Sequence, residues 1–127
     1  MTRTLVVPVV ALAATLLAAP AASAASAATK VCAGGQLMGG ATKVVEVSAG
    51  QKIDITVHNS DYRGMLVQII EDVFDKGLWS GAIAPGKEHT VSHGVLGDPP
   101  VYHKIRFEVT SNLSNNYTYA IKSDRCY

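Results

Sequence analysis

The sequence predicts an all-β protein, an antiparallel β-sandwich of about seven strands. Apolar and polar residues alternate over Ile53–His58 and again over Val101–Val109, which is the period-two pattern of strands with one buried face. Turn-forming residues separate such segments at intervals of about ten residues, and no long segment has the period of an amphipathic helix. About 100 residues are enough for two small sheets around one core.

The remaining segments are assigned by the same criteria. Met65–Ile70 is almost entirely apolar, which indicates a central strand covered on both sides. Trp79 precedes a turn at Ser80-Gly81, and Ala33–Gly40 is rich in turn formers. Residues 71–76 fit either a helical turn or an extended connection. Further strands are predicted at Lys43–Val47, Lys87–His93 and Tyr117–Ile121, and a loop with two Gly and two Pro at Gly94–Pro100.

The first 27 residues have the organisation of a secretory signal peptide. Arg3 gives the start one positive charge, and the uncharged segment Leu5–Ala19 is too short for a membrane-spanning helix of about 20 residues. Two small-residue cleavage sites follow, Ala22-Ser23-Ala24 and Ala25-Ser26-Ala27. We therefore expect a cleaved leader over 1–27, of bacterial style, and one secreted domain over 28–127.

The charge balance argues against two classes of partner. Eleven Lys and Arg residues oppose ten Asp and Glu residues, for a net charge of +1. Removal of Arg3 with the leader makes the two numbers equal. A neutral domain has no strong field for nucleic acid or for anionic membranes, so we expect neither as a partner after cleavage.

Cys32 and Cys126 lie near the two ends of the predicted domain. An even pair in an exported chain favours a disulfide. A loop that spans nearly the whole domain is worth about 4–5 kcal/mol in the chain-entropy model. Neither cysteine belongs to a CxxC motif, which argues against thiolate metal binding or redox chemistry.

Two segments carry a resemblance to known folds. VEVSAGQKIDITVHN and, later, IAPGKEHTV resemble the strand–turn–strand segments of Greek-key sandwiches, including immunoglobulin-like and cupredoxin-like domains. The resemblance covers about half of the predicted mature chain. It implies a fold class, leaves the strand order open between these two, and implies no activity.

No cofactor or metal is expected. A blue-copper loop cannot follow Cys126 because only Tyr127 remains, and His89 and His93 lie about 13 Å apart along a strand. A site that joins His58 and His103 across strands stays open. Carboxylates at Glu71, Asp72 and Asp75 lack the ligand pattern of a calcium loop, which favours a solvated acidic turn.

Catalytic motifs are missing from the sequence as well. It has no Gly-x-Ser-x-Gly elbow and no His-Glu-x-x-His segment. We therefore expect a protein that is not an enzyme. Asn112 and Asn116 match the glycan acceptor pattern, but a bacterial leader favours ordinary turn residues.

Surface recognition remains as the expected function. Tyr, Trp, Arg and stiff proline loops are typical of binding hot spots, which selects Tyr62, Arg63, Trp79, Pro99, Pro100 and Tyr102 as partner-binding candidates. Trp79 as a core residue is the alternative interpretation. We expect a secreted adaptor or subunit of a larger extracellular assembly, such as a toxin particle, or an inhibitor, bound to a secreted or cell-surface protein. A polysaccharide-binding module that uses Tyr62, Trp79 and Tyr102, and a metal carrier, are the alternatives.

Overall fold

The structure is a computed structural model that describes residues 29–38, 42–111 and 115–127. The predicted leader over 1–27 and the acceptor Asn112 lie outside these residues. Within them, the chain forms eight antiparallel strands: β1 Lys30–Met38, β2 Thr42–Ala49, β3 Lys52–Asn59, β4 Met65–Glu71, β5 Lys76–Ile83, β6 Glu88–Gly94, β7 Val101–Val109 and β8 Asn116–Ser123.

The strands form two four-stranded sheets, β1-β8-β3-β6 and β2-β7-β4-β5. The pairs β1–β8, β2–β7, β3–β6 and β4–β5 are all antiparallel neighbours. The chain thus resembles one long hairpin wrapped into two sheets, which is a jelly roll. The predicted antiparallel sandwich is confirmed, with eight strands instead of about seven. β1 and β2 lie in different sheets, so the strand order is that of a jelly roll and not that of an immunoglobulin-like domain. It also differs from the cupredoxin-like order, the other expected alternative.

Alternation along the strands builds the core. In β3, Ile53, Ile55 and Val57 are fully buried, whereas the residues between them face outward. In the other sheet, β7 buries Ile105 and Phe107 on its inner face in the same way. The strands predicted at 43–47, 53–58, 101–109 and 117–121 are confirmed because each has one apolar face that only the sandwich interior can cover.

The sequence predicted neither β1 nor β5. The Ala33-Gly34-Gly35 segment of β1 was expected to form turns, but β1 pairs with β8 over Lys30–Met38. Backbone hydrogen bonds hold this edge strand, so no alternating side-chain pattern is needed. A Cβ atom at Gly34 would lie 3.2 Å from the carbonyl oxygen of Tyr119, and this close approach favours glycine in the strand.

Two further expectations need correction. Trp79 lies inside β5, and Ser80-Gly81 continues that strand instead of forming a turn. β4 is central, between β7 and β5, but Leu66 on its outer face is exposed. The apolar composition of β4 therefore does not mean that both of its faces are covered.

The predicted disulfide is confirmed. Cys32 in β1 is bonded to Cys126 across 94 positions of the chain, and Cys126 also forms a β-bridge with Ala49. We call this end of the sandwich the disulfide end. It contains the residues next to both described termini and the connections β2–β3, β4–β5 and β6–β7. The opposite end contains the β3–β4 and β5–β6 connections.

Candidate recognition surface at the disulfide end

The structure distributes the predicted partner-binding residues over three places. Tyr62 and Arg63 lie at the opposite end, in the β3–β4 connection, while Pro99 and Pro100 lie at the disulfide end, in the β6–β7 connection. Tyr102 follows on the outer face of β7, where its hydroxyl donates a hydrogen bond to Glu46. These residues and Trp79 do not share one surface.

Trp79 closes the open side of the sandwich. Its ring stacks on His89 of β6, with ring centres 3.9 Å apart and planes 17° from parallel. β5 and β6 are edge strands of the two different sheets, so this pair bridges the sheets. The position supports the alternative interpretation of Trp79 as a structural residue.

The β4–β5 turn, residues 72–75, presents an apolar tip that the sequence did not single out. Phe74 is 80% exposed and Val73 is 48% exposed, although apolar side chains gain free energy by burial. Asp75 completes the turn with a positive φ of 54°, a conformation that Asp tolerates better than most residues. We call residues 72–75 the Phe74 turn.

Arg106 of β7 fixes the Phe74 turn from the outer face of the second sheet. Its guanidinium forms ion pairs with Asp72, with Asp75 at 2.6 Å and with Glu108 at 2.7 Å. The hydrogen bond to Asp75 is the largest of the effects that raise the pKa of Arg106. The carboxylates expected to be solvated are therefore bound, and both ends of the turn are tied to the sheet.

Glu71 holds the same turn from the interior. Its side chain is 5% exposed, and its Oε2 accepts a hydrogen bond of 2.8 Å from the backbone N–H of Phe74. The Phe74 turn is thus anchored on both faces of the sheet. An apolar group held in one geometry loses little conformational entropy on binding.

Two other segments at the disulfide end also expose a large side chain. Leu96 in the β6–β7 connection is 94% exposed, and Tyr127 is also exposed. The β6–β7 connection is fixed by Gln51, whose side-chain Nε2 donates to the Gly97 carbonyl at 2.6 Å. Val95 N–H donates to the Gln51 carbonyl at 2.9 Å. The disulfide end is therefore a set of short, braced connections with apolar side chains at their tips.

A groove of about 530 Å³ lies on the outer face of the second sheet beside the Phe74 turn, and Asp75 and Arg106 are among the residues that line it. Gln68 and Ser80 are cross-strand neighbours there, and Glu108 lies beside Gln68 on the other side. Among the described residues, no hydrogen bond engages the Gln68 amide or the Ser80 hydroxyl. The groove therefore offers both a donor and an acceptor above the apolar side chains of Ile70 and Leu78.

The histidines do not assemble as the sequence allowed. His58 is on the outer face of the first sheet, where its Nδ1 lies 3.3 Å from the Ser60 hydroxyl. His103 is buried on the inner face of the second sheet, which separates the two residues of the open metal hypothesis. Within residues 29–38, 42–111 and 115–127, no group of three or more His, Cys, Asp or Glu side chains is arranged to hold a metal ion. The same residues contain no helix long and apolar enough to cross a membrane.

Comparison with known proteins gives similar structures but no family. No family model matches the chain, and no curated protein matches it. An acetyl xylan esterase from the rumen bacterium Butyrivibrio proteoclasticus is 16% identical over 70% of this chain, with a TM-score of 0.47, and the chain spans only 24% of that esterase.

Two other structures are similar along most of their own length. The Yersinia pseudotuberculosis-derived mitogen is 11% identical, with 72% of this chain and 82% of that chain covered and a TM-score of 0.44. The core of Drosophila NLP, described for its pentamer formation and histone binding, is 12% identical, with 73% and 98% covered and a TM-score of 0.43. Similarity at this level transfers no function to the chain.

Proposed function

We propose that this protein is a secreted, non-catalytic binding domain that attaches to another extracellular protein through its disulfide end, as an adaptor or subunit or as an inhibitor. One observation carries the proposal. Phe74 stands exposed on a turn whose flanking carboxylates are held by Arg106 and whose backbone is held by Glu71. A fixed apolar tip of this kind suits insertion into a pocket of a partner.

The energetics favour Phe74 as the anchor. Burial of one Phe side chain is worth about 1.5–3 kcal/mol, and Phe74 does not gain this free energy while its side chain faces water. The adjacent Val73 adds a second exposed apolar side chain to the turn. Ion pairs at the base of the turn leave few adjustments to be made on binding, so most of that free energy is available for affinity.

The disulfide supports an extracellular location. Disulfides persist in oxidising compartments and are rare in the cytosol, and Cys32–Cys126 is formed in the structure. The cleavable leader predicted over 1–27 is consistent with the same route. Secretion therefore belongs to the proposal together with the binding role.

Capture from the culture fluid of the producing cells tests the proposal. The mature protein is immobilised through a long Gly/Ser linker, because both described termini lie at the disulfide end. We expect a secreted protein to be captured in fixed ratio by the native protein, and to be lost with Phe74→Ala. Tyr62→Ala is the matched control, since Tyr62 is 82% exposed at the opposite end.

The outcomes separate the two ends of the molecule. Capture that survives Phe74→Ala but fails with Tyr62→Ala would place the contact at the opposite end and overturn the proposed surface. Equal capture by both variants would remove Phe74 as the anchor. A pure monomer that captures nothing would count against the adaptor and subunit roles, and assays against secreted proteases would then decide the inhibitor role.

A polysaccharide-binding role is the second candidate, and the groove beside β4 and β5 is the observation that favours it. Tyr62, Trp79 and Tyr102 form no common platform, and of these three Trp79 alone lines the groove. The uncommitted Gln68 amide and Ser80 hydroxyl offer hydrogen bonds to sugar hydroxyl groups instead. Retention on insoluble polysaccharide should then fail with Gln68→Ala and survive Phe74→Ala, the reverse of the result expected for protein binding.

A further inference from the structure

β2 is an edge strand whose second side is only partly covered. On one side, β7 pairs with it over Thr42–Ala49 without a break in register. On the other side, the backbone N–H of Tyr127 donates to the Ser48 carbonyl at 3.0 Å, and Cys126 forms its bridge to the last residue of β2. Among the described residues, no other strand pairs with this side. The edge of β2 is therefore open over residues 42–47.

The hydrogen bond of Ser48 shows which residues face the open edge. The N–H and C=O of one strand residue point to the same side of the strand, and this side alternates from residue to residue. Since the Ser48 carbonyl points away from β7, the backbone groups of Glu46, Val44 and Thr42 do so as well. Within the described chain, these three residues present N–H and C=O groups to which no strand is paired. Such a row is a template for a further strand.

β2 is also the edge strand best suited to pairing. Bulges protect many sheet edges because they twist the edge away from a partner. β1 and β5 each contain a register irregularity, and β6 has Val91 as its one large apolar residue. β2 keeps its register throughout and contains Val44, Val45 and Val47. Val44 lies on the outer face and is 37% exposed.

The open edge of β2 is complementary to itself. In an antiparallel pair of two copies centred on Val44, Thr42 of each copy lies opposite Glu46 of the other. Lys43 then lies opposite Val45, so like charges are not directly opposed anywhere in the pair. The two valines at the centre are in direct contact across the junction. All three outward-facing residues of each copy are paired, with about six backbone hydrogen bonds in total.

Other registers fit less well. A pair centred on Glu46 places two carboxylates directly opposite each other, which is destabilising. A pair centred on Val45 requires Ser48 to bond to the second copy, but its carbonyl already accepts from Tyr127. The covered end of β2 therefore selects the register centred on Val44.

We propose that the open edge of β2 is a dimer interface, through which the second sheets of two copies of this chain join into one continuous sheet. The two β2 strands are antiparallel and related by a two-fold axis at Val44. The disulfide ends then point in opposite directions, and the dimer presents one Phe74 turn at each end. This inference goes beyond the proposed function and does not depend on it. If both hold, an adaptor of this design binds two partner molecules.

Light scattering of the mature protein from micromolar to millimolar concentration tests the interface. We expect the native mass to rise to twice that of one chain. Val44→Pro removes an N–H that points to the open edge and no bond to β7, so the domain should fold, as circular dichroism can check. Its dimer dissociation constant should rise about tenfold or more, because both copies lose a central donor. Val44→Ala is the matched control: it keeps the N–H and should weaken the dimer only a few fold.

Cross-linking tests the register separately. In the native disulfide-bonded protein, Val44→Cys places two cysteines face to face with Cα atoms about 5.5 Å apart, a distance that a disulfide can bridge. Mild oxidation should therefore join the two copies. Glu46→Cys is the control, since in this register the two copies of position 46 are displaced by about 13 Å along the strands, and it should stay unlinked.

Three results would overturn the proposal: a native protein that is monomeric at every concentration, a dimer that Val44→Pro leaves unchanged, or equal cross-linking of the two cysteine variants. Cross-linking decides the matter even if Val44→Pro folds poorly. Failure of the proposed function is a separate result, because Phe74→Ala should dimerise like the native protein whether or not it captures a partner.

Discussion

The β3–β4 connection and the Phe74 turn contain the same components, an exposed aromatic residue beside an arginine–aspartate ion pair, but arrange them differently. Arg63 pairs with Asp61 two residues away, and its guanidinium carbon lies 5.0 Å from the centre of the adjacent Tyr62 ring. The arginine of the Phe74 turn comes from β7 and leaves the Phe74 ring exposed. Arg63 therefore contacts the aromatic ring next to it in the chain. Arg106, which comes from another strand, fixes the turn and leaves the Phe74 ring exposed.

The interior supports of the two segments also differ. Asn59 beneath the β3–β4 connection is fully buried and makes three hydrogen bonds, which involve the carbonyls of Arg63 and Ile83 and the N–H of Asp61. These three hydrogen bonds join neutral groups, so none of them titrates. The interior support of Phe74 is a single carboxylate, that of Glu71. The opposite end is thus held by a buried, fully hydrogen-bonded amide, whereas the disulfide end holds an exposed apolar side chain in a fixed position.

The largest expected effect is on the opposite end. Asn59→Ala removes three hydrogen bonds and leaves buried partners unsatisfied, so the free energy of unfolding should fall by about 3 kcal/mol. Urea unfolding followed by circular dichroism measures this change. The exposed Asn116 side chain provides the control: Asn116→Ala should change stability by less than about 0.5 kcal/mol.

Asn59→Ala also tests whether the two ends of the sandwich are held independently. At temperatures where the variant remains folded, its capture of the partner should match that of the native protein, because the Phe74 turn has its own supports. Equal losses of stability in Asn59→Ala and Asn116→Ala would show that the β3–β4 connection does not depend on its buried amide.

A smaller effect is expected from the two arginines. Arg106→Met leaves Asp72, Asp75 and Glu108 close together without their shared cation, so the Phe74 turn should open more often. Amide exchange of Phe74 should accelerate about tenfold, and capture of the partner should weaken. Arg63→Met should change exchange only around Tyr62, and acceleration of Phe74 exchange by both variants alike would contradict the division between the two segments.

Pattern and composition predicted most of the scaffold from the sequence. Strands such as β3 and β7 have one apolar face, and burial of that face selects the same conformation whichever strands become neighbours. β1 was not predicted because its glycine-rich segment has no alternating side-chain pattern. Trp79 was not predicted as a strand residue because Ser80-Gly81 is a common turn signal. In the structure, pairing with β4 keeps these two residues in the strand.

The candidate site was less accessible to the same reasoning. Phe74 lies in the segment 71–76, whose conformation the sequence left undecided, and its importance depends on an arginine 32 positions later. The available signals were an apolar pair between acidic residues and the outward position of Arg106 on the clearest predicted strand. Only the β4–β7 pairing, which places Ile70 opposite Arg106, connects them.

The smallest expected effect concerns the acid dependence of the β3–β4 connection. The hydrogen bond from Arg63 and the N–H of Asn116 hold the pKa of Asp61 at about 2, below its ordinary value of 3.8. The folded state therefore binds this proton less readily than the unfolded state. Its contribution to stability is complete above pH 3.8 and is lost as the pH falls through about 2.

Asp61→Asn removes this titration, and Arg63→Met should raise the pKa of Asp61 only part of the way toward 3.8, because the N–H of Asn116 still donates to the carboxylate. The difference in unfolding free energy between native protein and Asp61→Asn should therefore shrink as the pH is lowered from 5 to 2, as urea unfolding at several pH values can show. A difference that stays constant with pH would mean that Asp61 gains nothing from its ionised partner. The Phe74 amide should behave as in the native protein throughout, because it lies at the other end of the sandwich.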